Sequence, residues 1–328
     1  MKHILVTGGA GFIGSNLIGE LLKNFKVTAI DNFDGFYSKR QKELNIMPFL
    51  PHKNFTFIEG DIRNQGDLAN AINVEVIIHL AAKAGVRPSI DNPILYQDVN
   101  IGGTQCLLEF AKTQHIQQFI FASSSSVYGM NEHIPWKEEE KLLPISPYAA
   151  TKLSGEMLGH VYSKLYGIRF LALRFFTVYG PGQRPDLAIH KFFQAILHDE
   201  PIPVYGDGLT SRDYTYVADT VKGIIAAIHY DQSDFEIINL GNHKPITLLD
   251  LIAAIERTCS KRASLEWLAD QPGDVPHTFS DISKAAALLD YHPTTALKTG
   301  LQEFYKWYVN RFLNNKAPII PADLPCHQ

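Results

Sequence analysis

The amino-acid sequence predicts an α/β fold: a doubly wound parallel sheet with a smaller C-terminal lobe. A short apolar run near the N terminus leads directly into a glycine-rich turn and then an apolar-striped helix. Strand-like apolar runs alternate with helical periodicity through the first half of the chain, which is typical of repeated βαβ units. Beyond residue 174, prolines and glycines interrupt short elements, so we expect the regular winding to stop there.

The predicted strands of the first half lack polar alternation, as do strands buried on both faces of a parallel sheet. They cover residues 3–7, 26–30, 55–59, 76–80, 118–122 and 169–174. Helical periodicity fills intervals between them at residues 12–23, 66–71, 94–114 and 147–166. This order predicts a Rossmann sheet, which binds ligands at the carboxyl ends of its strands.

The sequence of the second half predicts that the chain returns to the central sheet for one more strand. Residues 217–230 have the pattern of a helix, and residues 236–240 that of one more buried strand. We therefore expect residues 1–176 with 214–243 to form a nucleotide-binding domain. Residues 177–213 with 244–314 would form a smaller substrate-binding lobe over the strand ends, and the Pro-rich residues 315–328 a flexible tail.

Composition and charge argue against several classes of function. The 328 residues are 45% hydrophobic and 20% charged, with a formal net charge of -4 and no basic stripe, which argues against nucleic-acid binding. No apolar run reaches the ~20 residues that span a bilayer, and no signal peptide precedes the first strand. The three cysteines show no C-x-x-C spacing, so we expect neither disulfides nor a metal site, and a cytoplasmic location.

Three glycines, Gly8, Gly11 and Gly14, follow the first strand with G-x-x-G-x-x-G spacing around Phe12 and Ile13. Such a turn lets a dinucleotide pyrophosphate approach the backbone at the N terminus of a helix, although a tight turn without a ligand has the same spacing. Asp31, which follows the second strand, favours the ligand because its carboxylate can accept hydrogen bonds from an adenosine ribose. The same charge would repel a 2′-phosphate, so the sequence predicts NAD rather than NADP.

Further cofactor contacts are expected where later strands end. Asp61 and Ile62 could contact the adenine, although Asp61 could equally cap the helix predicted at 66–71. The fourth strand ends in small side chains that would let a cofactor lie against the backbone. The cofactor-binding set beyond the glycine turn is Asp31, Asn32, Asp61, Ile62, Leu80, Ala81, Ala82, Tyr148, Lys152, Phe175 and Val178.

Tyr148 and Lys152 lie one helical turn apart, behind a Ser146-Pro147 helix start. A neighbouring ammonium and a positively charged nicotinamide ring should lower the tyrosine pKa from its usual ~10, so that the phenol can act as a base. The residues at 123–126 add four hydroxyls after the fifth strand, where a catalytic partner would be expected, although a serine run is commonly a solvated turn.

Together these motifs resemble the extended short-chain dehydrogenase/reductases, specifically the NAD-dependent sugar-nucleotide epimerase/dehydratase family, and within it the UDP-glucuronate 4-epimerases. The resemblance covers nearly the whole chain. It is carried by residues 7–14, Asp31-Asn32, residues 79–82, residues 123–125, Tyr148-x-x-x-Lys152, residues 173–186 and residues 212–214.

The resemblance implies a chemical role for each catalytic residue. Ser124 would hydrogen-bond the 4-hydroxyl of a sugar, Tyr148 would remove its proton, and Lys152 would hold the nicotinamide ribose. The 4-keto sugar would turn in the site and take the hydride back on its other face. Relatives also commonly form homodimers through two helices of each subunit, here residues 94–114 and 147–166.

One pair of residues separates two branches of the family. Dehydratases carry an Asp-Glu pair where this chain has Ser125 and Ser126, and two hydroxyls cannot replace two carboxyl groups in acid–base catalysis. The UDP-glucuronate group instead binds the sugar carboxylate through residues that correspond here to Thr177, Arg184 and Ser126. A guanidinium suits a planar carboxylate.

The resemblance also implies residues for the UDP moiety, namely Val204, Tyr205, Arg212 and Asp274. Two positions depart from the family pattern. Gln271 stands where many relatives have a second phosphate-binding arginine, for which Arg87 or Lys191 could compensate, and Lys83 stands where the glucuronate group often has Gln.

Several alternatives stay open at the level of sequence. The substrate could be UDP-glucose or UDP-N-acetylglucosamine, and a decarboxylase or a 4,6-dehydratase of the same family is a further possibility. A dehydrogenase that releases NADH and a non-catalytic NAD sensor are the remaining ones, but a sensor would be expected to have lost Tyr148 or Lys152.

Overall fold

The computed structural model describes residues 1–269 and 275–314. The predictions made for Gln271, Asp274 and residues 315–328 therefore lie outside the described residues. The strands are β1 (His3–Thr7), β2 (Lys26–Asp31), β3 (Phe55–Glu59), β4 (Val76–His79), β5 (Gln118–Ser124), β6 (Arg169–Phe175), β7 (Thr177–Tyr179), β8 (Pro201–Tyr205), β9 (Ser211–Tyr216), β10 (Phe235–Leu240), β11 (Pro245–Thr247) and β12 (Ser264–Leu268).

Seven of these strands form the central parallel sheet, in the order β10-β6-β5-β4-β1-β2-β3. The predicted doubly wound sheet is thus confirmed, including the late return of β10 to its edge. The winding reverses between β1 and β4, which is where a sheet of this kind opens a crevice for ligands. The remaining strands form a three-stranded sheet, β11-β9-β7, and a two-stranded sheet, β12-β8.

Helices cover both faces of the central sheet and also lie between the strands of the two smaller sheets. They are α1 (Phe12–Leu21), α2 (Lys39–Ile46), α3 (Gln65–Leu68), α4 (Val86–Asp91), α5 (Pro93–Tyr96), α6 (Gly103–Thr113), α7 (Pro147–Tyr166), α8 (Ala188–His198), α9 (Val217–Ile228), α10 (Leu248–Cys259), α11 (Ser283–Leu289) and α12 (Leu297–Tyr308), with 3-10 turns at Met47–Phe49 and Ser125–Tyr128 and π segments at Gln97–Gly102 and Val309–Asn314.

The helix predicted at residues 94–114 changes its hydrogen-bond register in the middle. Backbone angles stay helical through Gly102 and Gly103, but a π segment separates α5 from α6. Gly103 packs so closely on Ile62 that a Cβ at Gly103 would stand 2.6 Å from the Ile62 Cδ1 atom. Asn100 lies in the π segment, and its side chain bonds the Lys83 backbone and the Thr151 hydroxyl.

Hydrophobic cores lie on both faces of the sheet because neighbouring residues of a strand point to opposite faces. In β1, Ile4 and Val6 join the core beneath α1 and α9, whereas Leu5 joins the core beneath α6. A separate core lies between α8, α10 and α12 and includes Phe193, Ile252 and Phe304. No helix among the described residues is long and apolar enough to cross a membrane.

Candidate active site

A cavity of about 480 Å³ lies along the carboxyl ends of the central strands. Every predicted cofactor-binding residue lines it, together with the three predicted catalytic residues and four of the predicted substrate-binding residues. These are Gly8, Gly11, Phe12, Ile13, Gly14, Asp31, Asn32, Asp61, Ile62, Leu80, Ala81, Ala82, Phe175 and Val178, then Ser124, Tyr148 and Lys152, and finally Ser125, Ser126, Thr177 and Arg184.

The glycine turn connects β1 to α1 at one end of the cavity. Gly8 has a φ of 68°, in the left-handed region that favours glycine, and its amide donates to the Ile30 carbonyl at 2.8 Å. A Cβ at Gly14 would stand 2.3 Å from the Gly8 carbonyl oxygen, so helix and turn require glycine there. Helix α1 begins behind Gly11 with no side-chain cap, which leaves its first N–H groups available to an anion.

Asp31 connects the glycine turn to the loop after β2. One carboxylate oxygen accepts from the Ala10 amide at 3.1 Å and the other accepts from the Phe33 amide at 2.8 Å. Burial raises the pKa of Asp31, against the opposing effects of Lys42 and of these two hydrogen bonds. Asp31 thus fixes the backbone on two sides while it lines the cavity.

The alternative role considered for Asp61, a helix cap, is wrong. Asn64 caps α3 by accepting from the Gly66 amide, whereas Asp61 accepts from the Asn32 side chain at 2.9 Å and pairs with Arg63 at 2.7 Å. The pair with Arg63 lowers the pKa of Asp61 to about 2. Arg63 itself lines the cavity and bridges to Asp98.

Sequence reasoning missed four polar residues of the cavity wall: Asp34, Tyr37, Lys42 and Arg63. Arg63 directly follows the predicted Asp61-Ile62 contact, so its position in the sequence was a usable signal. The other three lie on the loop and helix that follow β2, where no motif pointed to them.

Helix α7 presents the two main candidates for catalysis. Its first turn is fixed by the Ser146 hydroxyl, which accepts from the Ala149 amide at 3.1 Å, and by Pro147. The Lys152 ammonium donates to the Ala122 carbonyl at 2.7 Å and lies 5.9 Å from the centre of the Tyr148 ring. Burial lowers the pKa of Lys152 to about 7.

The expectation that Lys152 lowers the pKa of Tyr148 is not met in the protein alone. Burial dominates and raises the pKa of this phenol, while the charge of Arg184 and a hydrogen bond with the Ser124 hydroxyl act in the opposite direction. Lys152 sits over the ring and bonds a backbone carbonyl, so its charge is not aimed at the phenol oxygen. The main cation acting on Tyr148 is therefore Arg184.

The serine loop brings hydroxyls to the same place. Ser124 ends β5, and its oxygen accepts from the Ser126 amide at 3.2 Å and from the Ser126 hydroxyl at 2.9 Å. Ser123 points the other way and donates to Glu156 at 2.5 Å. The predicted hydrogen-bonding serine, Ser124, therefore bonds the neighbouring Ser126, and its hydroxyl also acts to lower the Tyr148 pKa.

A buried ion pair stabilises the position of α7 relative to the serine loop. Glu156 lies one turn beyond Lys152 on α7 and pairs with Arg174 of β6 at 2.8 Å, and both side chains are at most 1% exposed. Arg174 also donates to the Tyr128 hydroxyl at 3.0 Å. The pair joins α7 to β6, and the bond from Ser123 to Glu156 joins α7 to β5, the strand that leads into the serine loop.

Arg184 lines the same cavity as the serine loop. Its Nε and Nη2 atoms each donate to the Asp186 carboxylate at 2.9 Å, which leaves Nη1 outside that pair. The side chain is 21% exposed, so part of the guanidinium is open to the cavity. Lys83 also lines the cavity, with its ammonium 2.9 Å from the Asp34 carboxylate.

Of the residues predicted for the UDP moiety, the described ones, Val204, Tyr205 and Arg212, do not line this cavity. Val204 is fully buried in the core of the small lobe, which leaves only its backbone for a ligand. Tyr205 packs with its ring centre 5.5 Å from the Arg87 guanidinium, and Arg212 donates to the Ser211 carbonyl at 2.9 Å. Lys191 lies exposed on α8.

Within the described residues, no three His, Cys, Asp or Glu side chains are grouped so that they could hold a metal ion. Cys106 and Cys259 are free thiols. The polar groups that line the cavity include hydroxyls, the Tyr148 phenol, the Lys152 ammonium and the Arg184 guanidinium.

The parallel sheet, the glycine turn and the Tyr148–Lys152 pair define a Rossmann-fold enzyme of the short-chain dehydrogenase/reductase class. Within that class the chain belongs to the extended family of sugar-nucleotide epimerases and dehydratases, since the family model described as GDP-mannose 4,6 dehydratase matches residues 5–304.

Three similar proteins refine this placement. The UDP-glucuronate 4-epimerase of Thermodesulfobacterium geofontis is 40% identical over 313 residues, which cover 94% of this chain and 96% of the relative. A Bacillus subtilis protein described as an uncharacterized UDP-glucose epimerase, YtcB, is 45% identical over 302 residues, covering 91% and 95% of the two chains. The crystal structure of UDP-glucuronic acid 4-epimerase from Bacillus cereus, in complex with UDP-glucuronic acid and NAD, matches with a TM-score of 0.89, 41% identity and coverage of 94% and 99%.

Proposed function

We propose that this protein is an NAD-dependent 4-epimerase of a UDP-sugar, and that it interconverts UDP-glucuronate and UDP-galacturonate. One observation carries the proposal: a single cavity holds Ser124, Tyr148 and Lys152 together with the guanidinium of Arg184. A proton acceptor for a sugar hydroxyl and a binding group for a sugar carboxylate therefore face the same space. Similarity to UDP-glucuronate 4-epimerases over more than nine-tenths of the chain supports the same choice.

The residues present fit NAD. The uncapped start of α1 offers N–H groups to a pyrophosphate, and Asp31 has carboxylate lone pairs to offer a ribose. Asp61, Ile62 and the small residues at 80–82 would line the adenine and the middle of the cofactor. When bound, NAD would accept a hydride from C4 of the sugar and return it to the opposite face.

The protein's own part in the reaction is to move one proton and to orient the sugar. Tyr148 would take the proton of the 4-hydroxyl, and Ser124, whose hydroxyl acts to lower the Tyr148 pKa, would hold the same oxygen. Lys152 would bind the nicotinamide ribose from its place over the Tyr148 ring. Arg184 supplies the positive charge that favours the ionised phenol.

The sugar carboxylate would bind to Arg184, with Thr177 and Ser126 as hydrogen-bond donors. The edge of Arg184 that Asp186 leaves open would receive it, and the pairing with Asp186 holds the guanidinium plane in place. A carboxylate fixed in this way would resist loss of CO2 from the keto intermediate. Ser125 would complete the polar wall, and because Ser125 and Ser126 are not carboxylic acids, dehydration is disfavoured.

The remaining parts of the proposal concern the UDP moiety and the assembly. Val204, Tyr205, Arg212 and Asp274 would bind UDP where the smaller lobe, residues 177–213 with 244–314, faces the NAD-binding domain, residues 1–176 with 214–243. A homodimer through α6 and α7 is supported by three exposed apolar side chains spaced four residues apart on α7, namely Met157, Val161 and Leu165. The free thiols Cys106 and Cys259 support a cytoplasmic location.

The test is to incubate the purified protein with UDP-glucuronate and to resolve the products by anion-exchange chromatography and mass. A product of unchanged mass that matches UDP-galacturonate is the expected result. A product lighter by CO2 would mean a decarboxylase, and net absorbance growth at 340 nm a dehydrogenase that releases NADH.

A second candidate function is 4-epimerisation of UDP-glucose or UDP-N-acetylglucosamine. The observation that favours it is the Lys83–Asp34 pair in the cavity wall, since Lys83 departs from the residue that the glucuronate group often has. Conversion of UDP-glucose or UDP-N-acetylglucosamine but not of UDP-glucuronate would support this alternative and reject Arg184 as the carboxylate site.

A further inference from the structure

Tyr37 is a buried polar residue to which neither the fold nor the proposed reaction gives a role. It lies on the loop between β2 and α2 and is 9% exposed. Its hydroxyl oxygen is buried and has no hydrogen-bond partner among the residues that the structure describes. The residue nevertheless lines the cavity. A buried hydroxyl without a partner destabilises a protein unless a ligand supplies that partner.

The hydroxyl lies beside the glycine turn. Its oxygen would be 4.0 Å from a Cβ at Gly11, the residue immediately before α1. The first N–H groups of α1 have no side-chain acceptor, so this end of the cavity combines unpaired backbone donors with an unpaired hydroxyl. Donors that converge without an acceptor of their own form a site for an anion.

The surrounding contacts hold the Tyr37 ring in place. The Lys42 ammonium lies 4.7 Å from the ring centre and donates to the Asp34 carbonyl at 2.7 Å. Helix α2 is tied to the glycine turn because the Asn45 side chain donates to the Ala10 carbonyl at 3.1 Å. Burial also keeps the phenol protonated, since it raises its pKa far above the usual value. The hydroxyl is therefore a fixed donor.

We propose that the Tyr37 hydroxyl donates a hydrogen bond to the pyrophosphate of the bound dinucleotide, and so completes the anion site that the glycine turn begins. This inference rests on the proposed function in one respect, namely that a dinucleotide occupies the cavity. Arg184 is also near enough to affect the Tyr37 pKa, so a sugar carboxylate is the competing acceptor. The position beside Gly11 favours the pyrophosphate.

The test removes only the hydroxyl, with the variant Tyr37→Phe. Thermal unfolding of dialysed protein is followed over a titration with NAD, with ADP, which keeps the diphosphate, and with adenosine, which lacks it. We expect the dissociation constants of NAD and ADP to rise roughly ten- to hundredfold, the effect of one hydrogen bond to a charged group, and that of adenosine to stay unchanged. Without ligand, the variant should be at least as stable as the wild type.

Tyr291→Phe is the matched control. This tyrosine is also buried, but its hydroxyl donates to the Gly241 carbonyl at 2.9 Å and it does not line the cavity. Loss of that hydroxyl should lower the stability of the ligand-free protein and leave nucleotide affinity unchanged. Nucleotide released by acid denaturation after purification provides a second measurement, and should be lower for Tyr37→Phe than for wild type or control.

Two results would overturn the inference while the proposed function stands. If Tyr37→Phe binds NAD and ADP as tightly as the wild type, the hydroxyl does not contact the pyrophosphate. If it instead weakens only UDP-glucuronate, measured as KM at saturating NAD, the hydroxyl belongs to the sugar site. A wild-type protein that gains no stability from NAD would refute the cofactor of the proposed function, and this inference with it.

Discussion

The buried pair of Glu156 and Arg174 allows the sharpest prediction from this structure. Glu156 accepts from the Nε and Nη2 atoms of Arg174 at 2.9 and 2.8 Å and from Ser123 at 2.5 Å. Both charged side chains are at most 1% exposed. The substitution Glu156→Leu removes the carboxylate at similar volume and leaves the guanidinium buried without its counter-ion.

The expected loss of stability is large because the remaining charge has no access to water. Breaking a fully buried pair by removal of one partner destabilises proteins by roughly 3–5 kcal/mol. Arg174 keeps only its bonds to the Tyr128 hydroxyl and the Glu138 carbonyl, neither of which carries the opposite charge. The loss should therefore lie in this range rather than near the ~0–1 kcal/mol of a surface pair.

The double variant Glu156→Leu with Arg174→Met distinguishes the interaction between the two charges from the other effects of each substitution. Replacement of both charges by apolar groups of similar size should recover much of the loss, because no ion is then left buried. Denaturant unfolding gives the free energies of wild type, both single variants and the double variant, which together form a double-mutant cycle. A loss below about 1 kcal/mol for Glu156→Leu would falsify the reasoning, since Arg174 would then have found solvent or another anion.

Three further predictions concern the reaction. Tyr148→Phe should lower kcat roughly 10²- to 10⁴-fold, because it removes the base, with a smaller effect on NAD affinity, because the ring and the other cofactor-binding residues stay; steady-state epimerisation and an NAD titration check this. Arg184→Lys should raise KM for UDP-glucuronate roughly tenfold or more and leave UDP-glucose nearly unaffected, since an ammonium cannot bind a carboxylate in the same planar way. Lys152 titrates near 7 in the folded protein and near 10.5 in the unfolded chain, so the unfolded state binds more protons between these values and stability should rise with pH across that window. Lys152→Met should lack this rise when unfolding is measured against pH.

Each of the three has an outcome that would contradict it. Full activity of Tyr148→Phe would mean that another group takes the proton. Equal changes in KM for both sugars would place Arg184 at the nucleotide rather than at the carboxylate. A pH dependence of stability in Lys152→Met that matches the wild type would mean that this lysine keeps an ordinary pKa in the folded protein.

The sequence predicted the sheet well because five of its strands are buried almost throughout on both faces. All seven strands of the central sheet were found within one or two residues, and α7 was found with its exact ends. Residues that bind at strand ends were therefore predictable as a group: once the strand order is known, parallel strands bring their carboxyl ends to one edge. This is why every predicted cofactor residue lines one cavity.

The loop and helix after β2 could not be predicted in the same way. Helix α2 carries Lys39, Arg40, Lys42 and Glu43, and so shows no apolar stripe at helical spacing. Lys42 is nevertheless 5% exposed, because tertiary contacts enclose it. The local sequence gives no sign of such burial. For the same reason it did not identify Tyr37 as a residue of the cavity wall.

The Glu156–Arg174 pair was also missed, although a signal was present. Glu156 continues the spacing of Tyr148 and Lys152 along one face of α7. A carboxylate on a face that packs against a sheet needs a buried partner, and Arg174 is a charged residue that follows four apolar residues of the same strand. Each charged residue departs from the apolar pattern of its own element, and the ion pair between them accounts for both departures.

The control of the Tyr148 pKa connects substrate choice to catalysis. The sequence pointed to Lys152 as the group that lowers this pKa, but in the structure Arg184 and Ser124 have that effect against the burial of the phenol. A substrate carboxylate bound at Arg184 would offset part of the guanidinium charge, as Asp186 already does. The base would then depend more on Ser124, and on the positive nicotinamide ring that the sequence analysis had paired with Lys152. A neutral sugar would leave the charge of Arg184 unopposed, so if Arg184 binds a substrate carboxylate, Tyr148 would be harder to ionise with that substrate than with a neutral sugar.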